Sequence, residues 1–166
     1  MQYISSDTNV WIDFLTIDLL DLPFRLPHVY CMSCDAIRDE LLSPPSCRER
    51  LVSLGLKELD LDDAELLLVI EYGRKYPQLS VYDRFALAIA QNRNFVLLSG
   101  DGHLRKAAVK EKVTVRGTLW ILDQLLSQSL ATDTEYDTAI QRLDAANGTE
   151  VRLPSEEIRR RRNRNN

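Results

Sequence analysis

Short apolar stretches alternate with amphipathic ones along most of this chain. Each apolar stretch has the length of a strand, and each amphipathic one carries its apolar residues at helical spacing. This alternation is typical of βα units and predicts an α/β fold with a parallel sheet. The predicted strands or extended segments are residues 2–6, 28–32, 58–61, 95–98 and 113–115.

Helices are predicted between these strands and after the last of them. They cover residues 9–15, 35–42, 62–76, 80–91, 103–109, 118–126 and 133–147, and a further short helix ends near residue 56. Two of the helices begin with the spacing of a capping box, Asp62 with Glu65 and Ser80 with Asp83. The segment after Gly148 could contain a short strand and a basic helix.

The chain has the length of one domain that can bury a real core, at 166 residues. We expect a wound core over residues 1–131 and a helical extension with a basic tail over residues 132–166. No apolar run approaches the ~20 residues of a membrane span. The N-terminus lacks the basic segment that begins a signal peptide. We therefore expect a cytoplasmic protein without membrane contact, whose three cysteines stay reduced.

The net charge of −4 conceals an asymmetry, because residues 159–164 include five arginines. Without those five, 16 basic residues remain against 25 acidic ones, a net charge of −9. A basic tail on an acidic body could provide affinity for a polyanion. It could equally be a solvated terminus without a binding role. The sequence leaves both readings open.

Four carboxylates lie where a predicted strand ends or where a predicted helix presents its inner face: Asp7, Glu40, Asp83 and Asp101. In a parallel sheet, the carboxyl ends of neighbouring strands share one crevice. Two carboxylates 4 Å apart repel by roughly 4 kcal/mol at an effective dielectric constant near 20. A cation would neutralise such a cluster, and Mg²⁺ or Mn²⁺ prefers carboxylate oxygens. The pattern therefore predicts a metal site.

Each of these carboxylates also has a structural alternative. Asp7 could cap a helix, and Asp83 stands at the third helical position of a capping box. Glu40 could form a buried salt bridge with an arginine, and Asp101 could belong to a turn. Taken together, the four acids favour the metal site over four separate structural roles.

A zinc site is a competing possibility, because His28, Cys31, Cys34 and Cys47 nominally provide four ligands. However, Cys31 falls in a predicted buried strand, where residues three apart cannot face the same side. No second paired knuckle follows along the chain. We therefore disfavour a zinc or redox function.

Several short motifs, in order from Asp7 to about residue 126, resemble those of PIN domains. They are Ser6-Asp7-Thr8-Asn9-Val10-Trp11-Ile12, the inward Glu40, Val81-Tyr82-Asp83-Arg84, Leu97-Leu98-Ser99-Gly100-Asp101 and Gly117-Thr118-Leu119-Trp120. Within that family, the chain is similar to the VapC-type toxin ribonucleases of prokaryotic toxin–antitoxin pairs. The extension after about residue 132 lies outside the resemblance.

The resemblance implies a three-layer α/β/α sandwich with a central parallel sheet. It also implies a Mg²⁺- or Mn²⁺-dependent endoribonuclease that hydrolyses RNA phosphodiester bonds, an antitoxin protein as a partner, and a homodimer. The acidic quartet would be Asp7, Glu40, Asp83 and Asp101. A fifth carboxylate is in doubt, because His103 stands where many members carry an acid.

Phosphodiester hydrolysis needs a nucleophile made from water and a sink for charge on the phosphate, and metal ions supply both. We expect Asp7 and Asp101 to bind one ion most directly. Glu40 and Asp83 would complete its shell through water or hold a second ion.

Four polar residues near these acids are candidates for the substrate-binding side of the site. Asn9 could hydrogen-bond Asp7 from the adjoining turn, and Ser99 matches a position where a hydroxyl often assists the metal site. Arg84 and Arg105 are candidates to contact RNA phosphates, although either could be an ordinary solvated charge.

Other functions remain compatible with the same residues. The protein could be a non-toxin PIN nuclease of RNA processing or decay, or a catalytically silent PIN-like domain that binds RNA or a partner. A haloacid-dehalogenase-like phosphatase would share the architecture. We set it aside because Asp7-Thr8-Asn9 lacks the second Asp that such enzymes need two residues further on.

Overall fold

A five-stranded parallel sheet lies at the centre of the protein, in a computed structural model that describes residues 1–164. The strands are β1 (Gln2–Ser6), β2 (His28–Ser33), β3 (Lys57–Leu59), β4 (Val96–Leu98) and β5 (Val115–Arg116). Their order is β3-β2-β1-β4-β5, and every neighbouring pair is parallel. The chain order thus reverses beside β1, which makes the ends of β1 and β4 the switch point where α/β proteins form binding crevices.

Helices connect the strands and continue the chain beyond the last of them. In the described residues they are α1 (Thr8–Thr16), α2 (Cys34–Glu40), α3 (Cys47–Leu54), α4 (Asp63–Lys75), α5 (Val81–Asn92), α6 (Gly102–Lys110), α7 (Thr118–Ser127), α8 (Asp133–Ala146) and α9 (Ser155–Arg162). Both predicted capping boxes are confirmed, at the starts of α4 and α5. These signals are local, since each involves residues only three apart.

The fifth strand lies later than the sequence indicates, at Val115–Arg116 instead of residues 113–115. Lys112 takes a left-handed conformation (φ 61°) as the chain leaves α6. The amide of Val113 then donates to the carbonyl of Ala108, so it closes the helix and does not join the sheet. The strand anticipated after Gly148 is reduced to a single parallel bridge between Asn147 and Val151.

Helices cover both faces of the sheet, which gives the predicted three-layer α/β/α sandwich. Ile4 and Leu98 face a first core formed with α1, α2, α3, α7, α8 and α9. The neighbouring residue Leu97 faces a second core formed with α4, α5 and α6. Alternate residues of one strand thus enter opposite cores, as the pleat requires.

The helical extension packs on the first core. Its buried apolar residues belong to the same cluster as those of β1 and α1, and they are Tyr136, Ala139, Ile140, Leu143, Val151 and Ile158. The proposed boundary between residues 131 and 132 stays a prediction. The last two residues of the segment 132–166 lie outside the described residues.

The five arginines of residues 159–164 are paired with carboxylates. Arg161 binds Asp123 of α7 through two nitrogens, at 2.6 and 2.9 Å. Arg164 contacts Asp133 and Asp137 of α8, at 2.8 and 3.0 Å. The remaining three pair with Glu156, Glu157 and Asp144. Much of the tail's charge is therefore compensated within the chain. Among the helices of residues 1–164, none is both long and apolar enough to cross a membrane.

We expect Ile158→Ala to lower the free energy of unfolding by about 2–4 kcal/mol, because it would leave a cavity in the first core. Urea denaturation followed by circular dichroism measures the change. Arg159→Ala on the same helix is the matched control, and its exposed side chain should contribute less than about 0.5 kcal/mol. Equal, small losses in both variants would contradict the docking of α9 on the core.

Candidate active site

Asp7 stands directly after β1, at the carboxyl edge of the sheet. Its amide N–H donates to the carbonyl of Leu98 at 2.8 Å, so the pairing of β1 with β4 continues one residue past the strand. The side chain is only 6% exposed and makes no cap hydrogen bond to α1. Instead its Oδ2 accepts from the Ser99 hydroxyl at 2.8 Å and from the Asn9 amide at 3.3 Å. The carboxylate is therefore held at the sheet edge without capping a helix.

Glu40 is the final residue of α2 and is half-buried. Its Oε2 accepts a hydrogen bond from the Thr8 hydroxyl at 2.5 Å. Burial raises the pKa of Glu40, the Thr8 hydrogen bond partly opposes that rise, and the charge of Asp83 adds to it. Within the described residues, Glu40 has no arginine or lysine partner, so the buried salt bridge considered from the sequence does not form there.

Asp83 takes the structural role that its spacing predicts. Its Oδ2 accepts from the Ser80 amide at 2.8 Å, and its own amide donates to the Ser80 hydroxyl at 3.1 Å. Burial raises its pKa, the hydrogen bonds from Ser80 lower it, and the charge of Asp101 raises it further. Asp83 therefore both caps α5 and lies within electrostatic range of Asp101.

Asp101 caps α6, because its Oδ1 accepts from the amide of Leu104 at 2.8 Å. Its own amide donates to the Ser99 hydroxyl oxygen at 3.0 Å. The same buried hydroxyl donates to Asp7, so Ser99 connects the backbone of Asp101 to the carboxylate of Asp7. The Ser99 side chain thus links the end of β1 to the start of α6.

The acidic residues perturb one another's ionisation. Burial raises the pKa of Asp7 to about 7; the Ser99 hydrogen bond opposes this rise, and the charges of Asp83 and Glu40 reinforce it. Asp83 is in turn affected by Asp101. In the part of the chain that the structure describes, none of the four acids forms a salt bridge. Hydroxyl groups and, at Asp83, the charge of Arg84 offset part of their repulsion, but no ion pair within the described chain neutralises it.

A hydrated divalent ion fits the chemistry of these donors. Within residues 1–164, no three His, Cys, Asp or Glu side chains converge closely enough to hold an ion by themselves. Mg²⁺ usually keeps several waters and takes only one or two carboxylates together with substrate phosphates. Asp7 and Glu40 line a pocket of about 10 Å³, which is close to the smallest cavity that can hold one water molecule. Donors that are all oxygen atoms suit Mg²⁺ or Mn²⁺.

A larger cleft of about 520 Å³ lies beside Asp101, and it contains an acid that the sequence interpretation missed. Asp13 of α1 lines this cleft, is 7% exposed, and accepts from the Thr118 hydroxyl at 2.6 Å. Burial raises the pKa of Asp13 to about 6, and the Thr118 hydrogen bond opposes that rise. A signal was present in the sequence, because Asp13 stands one helical turn after Asn9 and therefore shares its face.

The two candidate arginines occupy different surroundings. The Arg84 guanidinium lies over Gly73 of α4, in the space that a Cβ at Gly73 would need. Arg105 is half-buried, and its Nη1 donates to the Ser99 carbonyl at 2.8 Å, directly behind the site. Burial lowers the pKa of Arg105, and the charge of Arg116 lowers it further. Burial raises the pKa of Asp83 and the charge of Arg84 lowers it, while Arg105 contacts the backbone beside Asp101. Contact with RNA stays a prediction for both.

The family model with the description "DUF3368: PIN domain" matches residues 3–164. This match runs from the second residue of β1 past the end of α9. No curated protein and no solved structure matches the chain.

We expect Asp7→Asn to stabilise the metal-free protein at pH 8 by about 1–3 kcal/mol, because it removes a buried charge. The pKa of Asp7 rises from 3.8 to about 7 on folding. As the pH rises, the folded state therefore keeps the Asp7 proton to a higher pH than the unfolded state does. The free energy of unfolding of the wild type should decrease between about pH 4 and 7 and then level off. Thermal unfolding in a chelator across that range measures the effect.

Asp60→Asn is the control for this experiment, because it removes an exposed carboxylate. It should leave the pH profile of stability unchanged. A variant at Asp7 that loses stability at pH 8, or keeps the wild-type profile, would contradict the assignment of the buried charge.

Proposed function

Because this chain belongs to the PIN domain family, whose members are generally nucleases and typically use divalent metals, we propose that it is a Mg²⁺- or Mn²⁺-dependent endoribonuclease. It would hydrolyse phosphodiester bonds of RNA. The observation that supports this most strongly is the set of acids at the carboxyl edge of the sheet. They are buried or half-buried and mutually repulsive, and none of them forms a salt bridge among the described residues.

Asp7 and Asp101 would hold the ion most directly, with Ser99 setting the distance between their two segments. A bound ion would lower the pKa of water and stabilise charge on the scissile phosphate. Asp7 must be ionised to act as a ligand, and the hydrogen bonds from Ser99 and Asn9 favour that ionised form.

Glu40 and Asp83 would act through water or at a second ion. One oxygen of Glu40 accepts from Thr8, so its other oxygen remains available to a water molecule. One oxygen of Asp83 likewise accepts from the Ser80 amide and leaves the other free for the site. Each residue thus has a fixed orientation and one oxygen for solvent or substrate, which suits positioning of water for attack.

We propose in addition that the protein is the toxin component of a toxin–antitoxin pair, of the VapC type, acting in the cytoplasm. The order of the motifs from Asp7 to Trp120 supports this narrower assignment. An antitoxin protein and a second copy of the chain would be its partners. Leu66, Leu67 and Ile70 form an exposed apolar strip on α4, the kind of surface that protein partners cover.

Two alternatives are carried by the same site. A housekeeping PIN nuclease of RNA processing would use identical chemistry without an antitoxin. A catalytically silent domain would bind RNA or a partner through the crevice without hydrolysing it. The housekeeping nuclease would differ from a toxin in its effect on cell growth. The silent domain would differ from both nucleases because it would not cleave RNA.

We expect purified protein to cleave RNA with Mn²⁺ or Mg²⁺ and to be inactive in a chelator. Asp7→Asn should reduce the rate by about 100-fold or more, because metal activation of water and phosphate supplies several kcal/mol. Asp60→Asn, which removes an exposed carboxylate, should keep full activity. Metal-loaded protein, free of antitoxin, that cleaves no RNA would favour the silent domain.

Expression of the wild-type protein should arrest growth if it is a toxin, and Asp83→Asn should relieve that arrest. The asparagine can still accept the Ser80 hydrogen bond, so α5 should remain capped while one acidic ligand is lost. Colony counts and immunoblots at equal expression measure the difference. Normal growth on wild-type expression, with active ribonuclease in the extract, would favour the housekeeping alternative.

A further inference from the structure

The loop between α8 and α9, residues 147–154, is fastened at both ends and in the middle. The Asn147 side chain accepts from the Leu153 amide at 2.8 Å and donates to the Leu153 carbonyl at 3.0 Å. Val151 is fully buried in the first core, and its carbonyl accepts from the Gly148 amide at 2.8 Å. The residues between these anchors are therefore presented in a defined position.

This loop forms one side of the 520 Å³ cleft beside Asp101. Thr149, Glu150 and Arg152 line the cleft from the loop, opposite Asn9 and Asp13 of α1 and the turn at Asp101. The volume is within the range of about 300–1,000 Å³ that small-ligand sites occupy. The extension thus contributes directly to a cleft that contains a proposed metal ligand.

Arg152 is the one lysine or arginine that lines this cleft in the described part of the chain. It is exposed, and within residues 1–164 no carboxylate lies at salt-bridge distance from it. The arginines of residues 159–164, by contrast, all have carboxylate partners. A guanidinium without a salt bridge, in the same cleft as the proposed metal ligand Asp101, is well placed to bind a phosphate that also contacts the ion.

A second cleft, of about 380 Å³, adjoins the first at Gly100, which lines both. The same loop lines it through Leu153 and Pro154. Opposite them lie Arg105, Arg116 and the half-buried Trp120, with the Arg116 guanidinium 6.0 Å from the Trp120 ring centre. Arginines beside an aromatic ring are typical of grooves that follow a single-stranded nucleic acid.

We propose that the 147–154 loop forms one wall of the path taken by single-stranded RNA, and that Arg152 binds a backbone phosphate beside the candidate active site. This proposal rests on the ribonuclease function proposed above. The path runs from the second cleft, past Gly100, into the cleft that contains Asp101. Arg152 is a substrate-binding residue in this scheme and touches no metal ligand.

The test is the binding of a fluorescently labelled 2′-O-methyl RNA oligonucleotide to the full chain, measured by anisotropy with Mn²⁺ over a series of salt concentrations. Gel electrophoresis after each titration verifies that the oligonucleotide is intact. Arg152→Ala should weaken binding by about 10-fold, as expected for one charge-assisted phosphate contact. The slope of log affinity against log salt should fall by about 0.7, the value for one contact to a single strand. Arg152→Lys should keep most of that slope.

Arg159→Ala is the matched control, because it removes the same charge from the same extension at a position outside both clefts. Its affinity should stay within about 2-fold of wild type. Melting temperatures of all three variants verify that the fold is retained.

The outcomes separate this proposal from the ribonuclease assignment. If Arg152→Ala binds with wild-type affinity and salt slope while the wild type cleaves RNA, the proposed RNA path is wrong and the ribonuclease assignment is retained. If Arg152→Ala loses affinity but the wild type does not cleave RNA with Mn²⁺, the proposed RNA path is supported and the ribonuclease assignment is contradicted. Wild-type protein that does not bind the oligonucleotide would overturn the path, whatever its activity.

Discussion

The pairing of β1 with β4 is the constraint on which the candidate site depends. Ser6 stands opposite Leu98, and the Asp7 amide adds one more hydrogen bond to the Leu98 carbonyl. This register brings Ser99 within 2.8 Å of the Asp7 carboxylate, although the two are 92 residues apart. The Ser5 hydroxyl also donates to the Ala86 carbonyl, which fixes α5 on β1. A slip of one residue would separate the acids, because alternate residues face opposite sides.

We expect the buried carboxylates of Asp7 and Asp13 to lower the stability of the fold when they are ionised. Asp7 and Asp13 are both nearly inaccessible, and burial raises the pKa of each well above its ordinary value. Hydroxyl groups of Ser99 and Thr118 offset part of that cost without supplying a positive charge. Functional sites often keep charged groups that lower the stability of the fold because the activity requires them. It agrees with a site that becomes stable when a cation and a phosphate are bound.

The C-terminal extension combines two kinds of arginine. Those of residues 159–164 compensate carboxylates, including Asp123 of α7 and Asp133 and Asp137 of α8. Surface pairs of this type contribute little individually, so the buried Ile158 is the main anchor of α9. Arg152 has no such partner among the described residues and lines the cleft. The arginine that we propose as a ligand contact, Arg152, thus lies outside the segment in which positive charge is densest.

Features that depend on residues close together in the chain could be predicted without a structure. Strand and helix periodicity, the capping box of Ser80 with Asp83, and acids at strand ends all follow from residues a few positions apart. Other features arise only in the folded protein. The Thr118 partner of Asp13 lies 105 residues away, and the cleft around Arg152 joins α1 to a loop near the other end of the chain. Local patterns cannot encode such contacts, because they arise only when the sheet register and helix packing bring distant segments together.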